Sequence, residues 1–324
     1  LPVTLPLWTP QAPLQRLALP WAAEAGVELA VLRLDLLDPL ISGNKWFKLH
    51  HHLEAAQAAN AKGVISLGGA HSNHLHALAA AGRRFGFATV GLLRGEPQHT
   101  PTIADLQAWG MQLHWLGYGG YRQRHQPDFW QPWLARYPDF YPVPEGGGGL
   151  PGALGCGQIL EMAQAQLASI GWSDFDAWWL ALGTGTTLAG LVLAEAGRRL
   201  VYGATAVPIG HGVEENLRHI FEQAGQTDQG YRLVEASGGG FAKVDTALTA
   251  FISGAEREGD LPLEAIYTGK ALMALRLYLA AGNVARGTRL LFVHTGGLQG
   301  RRATHMNNAL TPGAAPLESD PFHE

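Results

Sequence analysis

The sequence contains a single cysteine, Cys156, which excludes an intrachain disulfide and any multi-cysteine metal site. One unpaired thiol also suits a reducing compartment. Charge is sparse: 15% of the 324 residues are charged, 23 basic against 27 acidic, for a net charge of −4. Adjacent basic residues occur only as pairs such as Arg83-Arg84 and Arg301-Arg302, so no basic stripe marks a nucleic-acid partner. No apolar stretch reaches the roughly 18 residues of a membrane span. The first residues, Leu1-Pro2-Val3-Thr4, lack the basic start and apolar run of a secretory signal. The expectation is a cytoplasmic protein without nucleic-acid or membrane partners.

Apolar residues make up 47% of the chain, enough for a large core, and the length suggests two domains at about 150 residues each. Short apolar runs alternate with helical patterns. Strands are predicted over 29–36, 64–67, 88–93, 111–116, 177–182, 202–206, 231–235 and 289–294. Helices are predicted over 46–61 (ended by Gly63), 72–84, 101–109, 154–170, 186–199, 213–224, near 243–257 and 269–281. Residues 117–150, rich in aromatics, Pro and finally Gly, read as a long irregular crossing segment, and the tail after Ala309 as loosely held. Such βα alternation predicts an α/β fold with mostly parallel sheets flanked by helices. In such folds ligands sit beyond the carboxyl ends of strands. Most of the glycine clusters, at 68–69, 146–149, 183–185, 238–240 and 296–297, fall there.

Four local patterns carry chemistry. Ser42-Gly43-Asn44-Lys45 puts a lysine at a tight turn entering a helix, where backbone N–H groups and a positive dipole end favour the neutral amine that Schiff-base formation needs. Lys48 lies one turn further on. Ser66 to His74 follows a strand with Gly68-Gly69 and then Ser72 and Asn73 at a helix start, a place for a carboxylate or phenolate oxygen or simply a helix cap. Gly183-Thr184-Gly185-Thr186-Thr187 after an apolar strand suits a monophosphate. Leu188 breaks the dinucleotide fingerprint, and no lysine completes a P-loop. Tyr267-Thr268-Gly269-Lys270, with His294 to Gly297, offers hydroxyls for a heteroaromatic nitrogen. His50, His51 and His52 point around a helix and cannot all face one metal, so none is expected. Cys156, at a predicted helix start, reads as a packed thiol.

Together, SGNKWFKL (42–49), SLGGAHSNH (66–74), GTGTTLAG (183–190), YTGKA (267–271) and HTGGLQG (294–300) resemble the fold-type II pyridoxal-phosphate enzymes, tryptophan synthase β-like in fold. The resemblance is to the branch holding 1-aminocyclopropane-1-carboxylate deaminase and D-cysteine desulfhydrase. It implies pyridoxal 5'-phosphate as cofactor, a homodimer, and two domains: 1–47 plus 154–324, and an insert at 48–153. It implies Lys45, Ser72 and Tyr267 as catalytic residues. It also implies Lys45, Lys48, Asn73, Thr184, Gly185, Thr186, Thr187 and Thr268 as cofactor ligands.

Two departures bear on substrate. Thr268 stands where the deaminases carry a glutamate facing the pyridine nitrogen, and Phe241 where they carry a second tyrosine. A threonine leaves the ring a weaker electron sink, which suits β-elimination of a good leaving group. The expectation is therefore β-elimination from a small amino acid, D-cysteine giving pyruvate, ammonia and sulfide. The alternatives are deamination of 1-aminocyclopropane-1-carboxylate, removal of sulfite from cysteate, a racemase reaction, or cofactor binding without catalysis.

Overall fold

The computed structural model describes residues 2–210, 212–240 and 242–303. Phe241 and the tail after Ala309 lie outside the described residues. Among those described, the strands are β1 (Leu14–Leu17), β2 (Glu28–Arg33), β3 (Gly63–Gly68), β4 (Ala88–Leu93), β5 (Gln112–Trp115), β6 (Phe140–Pro142), β7 (Ala177–Leu182), β8 (Leu200–Thr205), β9 (Tyr231–Glu235) and β10 (Arg289–His294). They form two sheets. The larger runs β1-β2-β10-β7-β8-β9 and draws on both ends of the chain; the smaller runs β5-β4-β3-β6 and uses only residues between them. Only the β1–β2 pairing is antiparallel.

Both faces of the larger sheet are covered. Side chains alternate along a strand, so Trp178, Leu291 and Val293 enter one core, while Trp179, Leu290 and Phe292 enter another. Burial on both sides explains why β7 and β10 read as continuous apolar runs rather than alternating ones.

Close helix packing positions the loops. A Cβ on Gly155 would lie 2.0 Å from Phe47 O, and one on Gly190 would lie 2.1 Å from Ala153 O. Glycine at these two positions lets helix Gly149–Cys156 sit directly between helices Lys45–Ala58 and Thr186–Glu195. The helix bearing Lys45 and the helix following the threonine loop are thereby held in one block.

Several expectations need correction. The strand over 29–36 stops at Arg33 because Leu34–Leu36 turn into a 3-10 helix. Gly63 opens β3, packed beneath Phe140, instead of ending the preceding helix, which stops at Ala58. The helix over 154–170 is three pieces, Gly149–Cys156, Gln158–Gln164 and the 3-10 turn Leu167–Ile170. The helix predicted to Arg199 ends at Glu195, where Ala196 adopts a positive φ of 49°. The stretch 117–150 is not irregular throughout: it holds helices Gly117–Arg122 and Gln131–Arg136, and β6 pairs with β3. Elements of three to six residues, with intermediate burial, leave too little periodicity to read.

Candidate cofactor and substrate site

The site begins at the turn before helix Lys45–Ala58. Gly43 has a φ of 79°, and a Cβ there would lie 2.3 Å from Thr295 O. Asn44 N–H donates to the same carbonyl at 3.1 Å. The lysine turn is thus pinned to the loop leaving β10. Lys45 is the first residue of the helix, and Lys48 follows one turn later with 2% exposure. The two amines are electrostatic neighbours, and burial pushes Lys45 below and Lys48 well below the usual lysine range, the charge of Lys45 adding to the effect on Lys48.

Lys48 Nζ donates to Thr184 Oγ1 at 3.3 Å, and the hydroxyls of Thr184 and Thr186 lie 3.1 Å apart. Gly185, with a φ of 85°, starts helix Thr186–Glu195, and no side chain caps it. Its first N–H groups therefore have no partner inside the helix. Thr187 Oγ1 accepts from Asn44 Nδ2 at 2.9 Å and from the Cys156 thiol at 3.7 Å, with its own proton left to donate. A lysine amine, three hydroxyls and an uncapped helix start form a donor set that fits a monophosphate.

The opposite side comes from the end of β3. Ser72 Oγ caps helix Asn73–Phe85 by accepting from Leu75 N–H at 3.1 Å. Asn73 Oδ1 accepts from Gln299 Nε2 at 2.6 Å, and its Nδ2 borders Gly297. The ring of Tyr267 covers Gly183, where a Cβ would lie 3.2 Å from the ring edge. Thr268, fully buried, donates to Glu264 Oε1 at 3.0 Å and accepts from Glu264 N–H at 3.1 Å. The Glu264 carboxylate also accepts from the N–H groups of Ile266, Tyr267 and Thr268. Burial raises Glu264 above the usual carboxylate range, and these donors offset only part of that rise.

The structure thus brings Lys48, Asn44 and the threonine loop together through hydrogen bonds, with Lys45 beside Lys48. Gly297 ties Asn73 to Glu264, and Gly183 ties Tyr267 to the threonine turn. Sequence reasoning missed Glu264, Gln299 and Asn216, whose Nδ2 holds Thr184 O at 2.5 Å. Only Glu264 had a signal, an acid a few residues before a helix start.

Other residues serve structure. Arg33 grips the buried Asp35 through two bonds of 2.9 and 2.7 Å. His294 donates from Nε2 to Pro262 O at 2.6 Å and accepts Gly296 N–H on Nδ1 at 3.2 Å. Burial keeps it neutral, so its 3.5 Å approach to Asp35 is not an ion pair. Cys156 ends a helix rather than starting one, and burial pushes its thiol up to about 11. His52 turns inward to Gly148 O, but His50 and His51 do converge, on Glu54, with ligand atoms within 4.8 Å of one another.

The sequence profile described as "Pyridoxal-phosphate dependent enzyme" matches residues 5–296. The chain belongs to this family. As a member of the pyridoxal-phosphate family it is an enzyme, and its cofactor is pyridoxal 5'-phosphate, as expected. Among curated proteins, two relatives named "Putative 1-aminocyclopropane-1-carboxylate deaminase" are similar. That from Pyrococcus abyssi is 27% identical over 288 residues, 86% of each chain. That from Pyrococcus furiosus is 28% identical over 300 residues, 85% of this chain and 86% of its own. A solved structure titled as an ACC deaminase homologue superposes with a TM-score of 0.78 at 26% identity, covering 95% of each chain. The fold extends to a serine racemase from Dictyostelium discoideum, TM-score 0.65 at 13% identity, covering 88% of this chain and 92% of that one.

Proposed function

We propose that the enzyme eliminates a leaving group from Cβ of a small amino acid, with D-cysteine as substrate and pyruvate, ammonia and sulfide as products. Lys45 would carry the cofactor. Lys48, Thr184, Gly185, Thr186 and Thr187 would hold its phosphate, Asn73 its phenolic oxygen, and Thr268 would serve its ring nitrogen. The observation that carries this reading is the lysine pair bonded through Lys48 to Thr184, because it joins a nucleophilic amine to an anion cradle. When bound, the cofactor supplies the electron sink for charge that develops at the substrate Cα.

The protein's own part is positioning and proton transfer. Burial favours the neutral form of Lys45, so the freed amine can accept the Cα proton. Ser72 and the start of its helix receive the substrate carboxylate beside Asn73. A neutral hydroxyl at Thr268 in place of a carboxylate supports reactions whose leaving group takes the electrons promptly. Tyr267 stands beside the threonine turn, where it can direct a proton. The single buried thiol fits a cytoplasmic enzyme, and no helix among the described residues is long and apolar enough to cross a membrane. Domain limits of 1–47 plus 154–324, and 48–153, follow the two sheets, and a homodimer is part of the same proposal.

A second reading, deamination of 1-aminocyclopropane-1-carboxylate, is favoured by the names of the Pyrococcus relatives. Release of 2-oxo acid from D-cysteine, L-cysteine and the cyclopropane separates the two. Pyruvate from D-cysteine alone supports the desulfhydrase reading. 2-Oxobutanoate from the cyclopropane replaces it with the second.

A further inference from the structure

Among the described residues, one buried side-chain nitrogen or oxygen has no hydrogen-bond partner: Nδ1 of His74. The imidazole is 3% exposed, in the first turn of helix Asn73–Phe85. Its other nitrogen is fixed. Ser66 Oγ lies 2.7 Å from Nε2 and gives its own proton to Val143 O at 2.8 Å. Ser66 must therefore accept from Nε2–H, which leaves Nδ1 as a bare lone pair. A buried acceptor without a donor costs about 1–3 kcal/mol, so this one is shaped for a donor that arrives.

The surroundings narrow the choice. From helix Lys45–Ala58, the charges of Lys45, Lys48 and His52 reach His74. His52 already bonds Gly148 O at 3.0 Å. Glu145, in the turn before helix Gly149–Cys156, is tied to Tyr121 and Arg124. The Cys156 thiol is bonded to Thr187. The amines of Lys45 and Lys48 remain. Gly147 makes the approach possible: a Cβ there would lie 3.2 Å from Lys48 Cβ and 3.5 Å from His74 Cε1.

We propose that His74 is a positioning residue for the lysine pair: its bare Nδ1 accepts a hydrogen bond from whichever amine is protonated, so one carries the proton while the other stays neutral. This rests on the assignment of Lys45 above. Without a bound anion, two neighbouring buried amines cannot both be charged. With an anion bound and Lys48 engaged on it, an ammonium formed at Lys45 by uptake of the substrate's Cα proton needs an acceptor other than Lys48. His74 provides it without taking the proton, because burial beside two amines holds its imidazole neutral.

The test follows recapture of pyridoxal 5'-phosphate by the cofactor-stripped enzyme, read at the absorbance of lysine-bound cofactor across neutral pH. An acceptor for the ammonium raises amine basicity, so its loss lowers the pH midpoint. His74→Leu should lower it by about one unit, a tenfold loss of proton affinity. His74→Asn, whose amide oxygen replaces Nδ1, should keep the wild-type midpoint. Should His74→Leu fail to fold, Ser66→Ala frees the imidazole to swap its proton and should shift the midpoint partway in the same direction. An unchanged midpoint in the leucine variant, or an equal shift in both His74 variants, would overturn the inference. A Lys45→Ala protein that still forms the absorbance band would instead overturn the assignment of Lys45.

Discussion

Two glycine-rich segments face Lys48, and they are built on opposite plans. The turn Gly183–Thr187 brings side chains to the site, with Thr184 and Thr186 3.1 Å apart and Lys48 bonded to the first. The stretch Glu145–Gly149 brings backbone. Gly146, Gly147 and Gly149 adopt positive φ, and Gly147 lies against Lys48 and His74 with no side chain of its own. The first segment displays hydrogen-bonding side chains; the second leaves side chains out. A cofactor site in this fold needs both, donors for the anion and room for the lysine stem beside them.

Four substitutions sharpen or break that contrast. Lys45→Ala should have the largest effect, removing turnover and the lysine-bound cofactor band altogether; turnover that survives would break the account. Lys48→Met removes a charge-assisted donor of about 1.5–3 kcal/mol, so cofactor affinity by equilibrium titration should fall roughly 10- to 100-fold. The same variant tests linkage. Lys48 titrates well below the lysine range when folded, so the unfolded chain binds more protons between that lowered value and 10.5. Stability of the stripped enzyme should therefore rise with pH through that window, and Lys48→Met should flatten the rise. Gly147→Ala strains a positive φ and crowds Lys48. It should cost about 1–2 kcal/mol in urea unfolding and lower affinity indirectly. Thr186→Val should be mildest, lowering affinity about fivefold through one lost hydrogen bond of about 1 kcal/mol while leaving stability nearly unchanged. A larger stability loss for Thr186→Val than for Gly147→Ala would invert the contrast.

The same contrast explains what was legible in the sequence. Strands β4, β7 and β10 match their predicted limits, because six-residue, mostly apolar runs bounded by turns carry a clear signal; β9 matches too, although Arg232 and Glu235 interrupt it. The grouping of Lys45, Thr184 and Thr186 about Lys48 was legible because residue type and turn stand together in the sequence. β1 and β6 were not legible: β1 carries exposed Gln15 and Arg16 between its two leucines, and β6 is three residues long. Gln299 and Asn216 were invisible, since each acts on a partner far along the chain, Asn73 and Thr184 O. The bare nitrogen of His74 could not be read either, because it exists only once Ser66 and Val143 have fixed the other one. Phe241, which weighed in the sequence-based choice of substrate, lies outside the described residues.

The most direct test of the central claim is to reduce the cofactor-loaded enzyme with borohydride, digest it and locate the pyridoxyl group by mass spectrometry. The account predicts a single modified lysine, Lys45. A label on Lys48 or Lys270, or no label on any lysine, would contradict it.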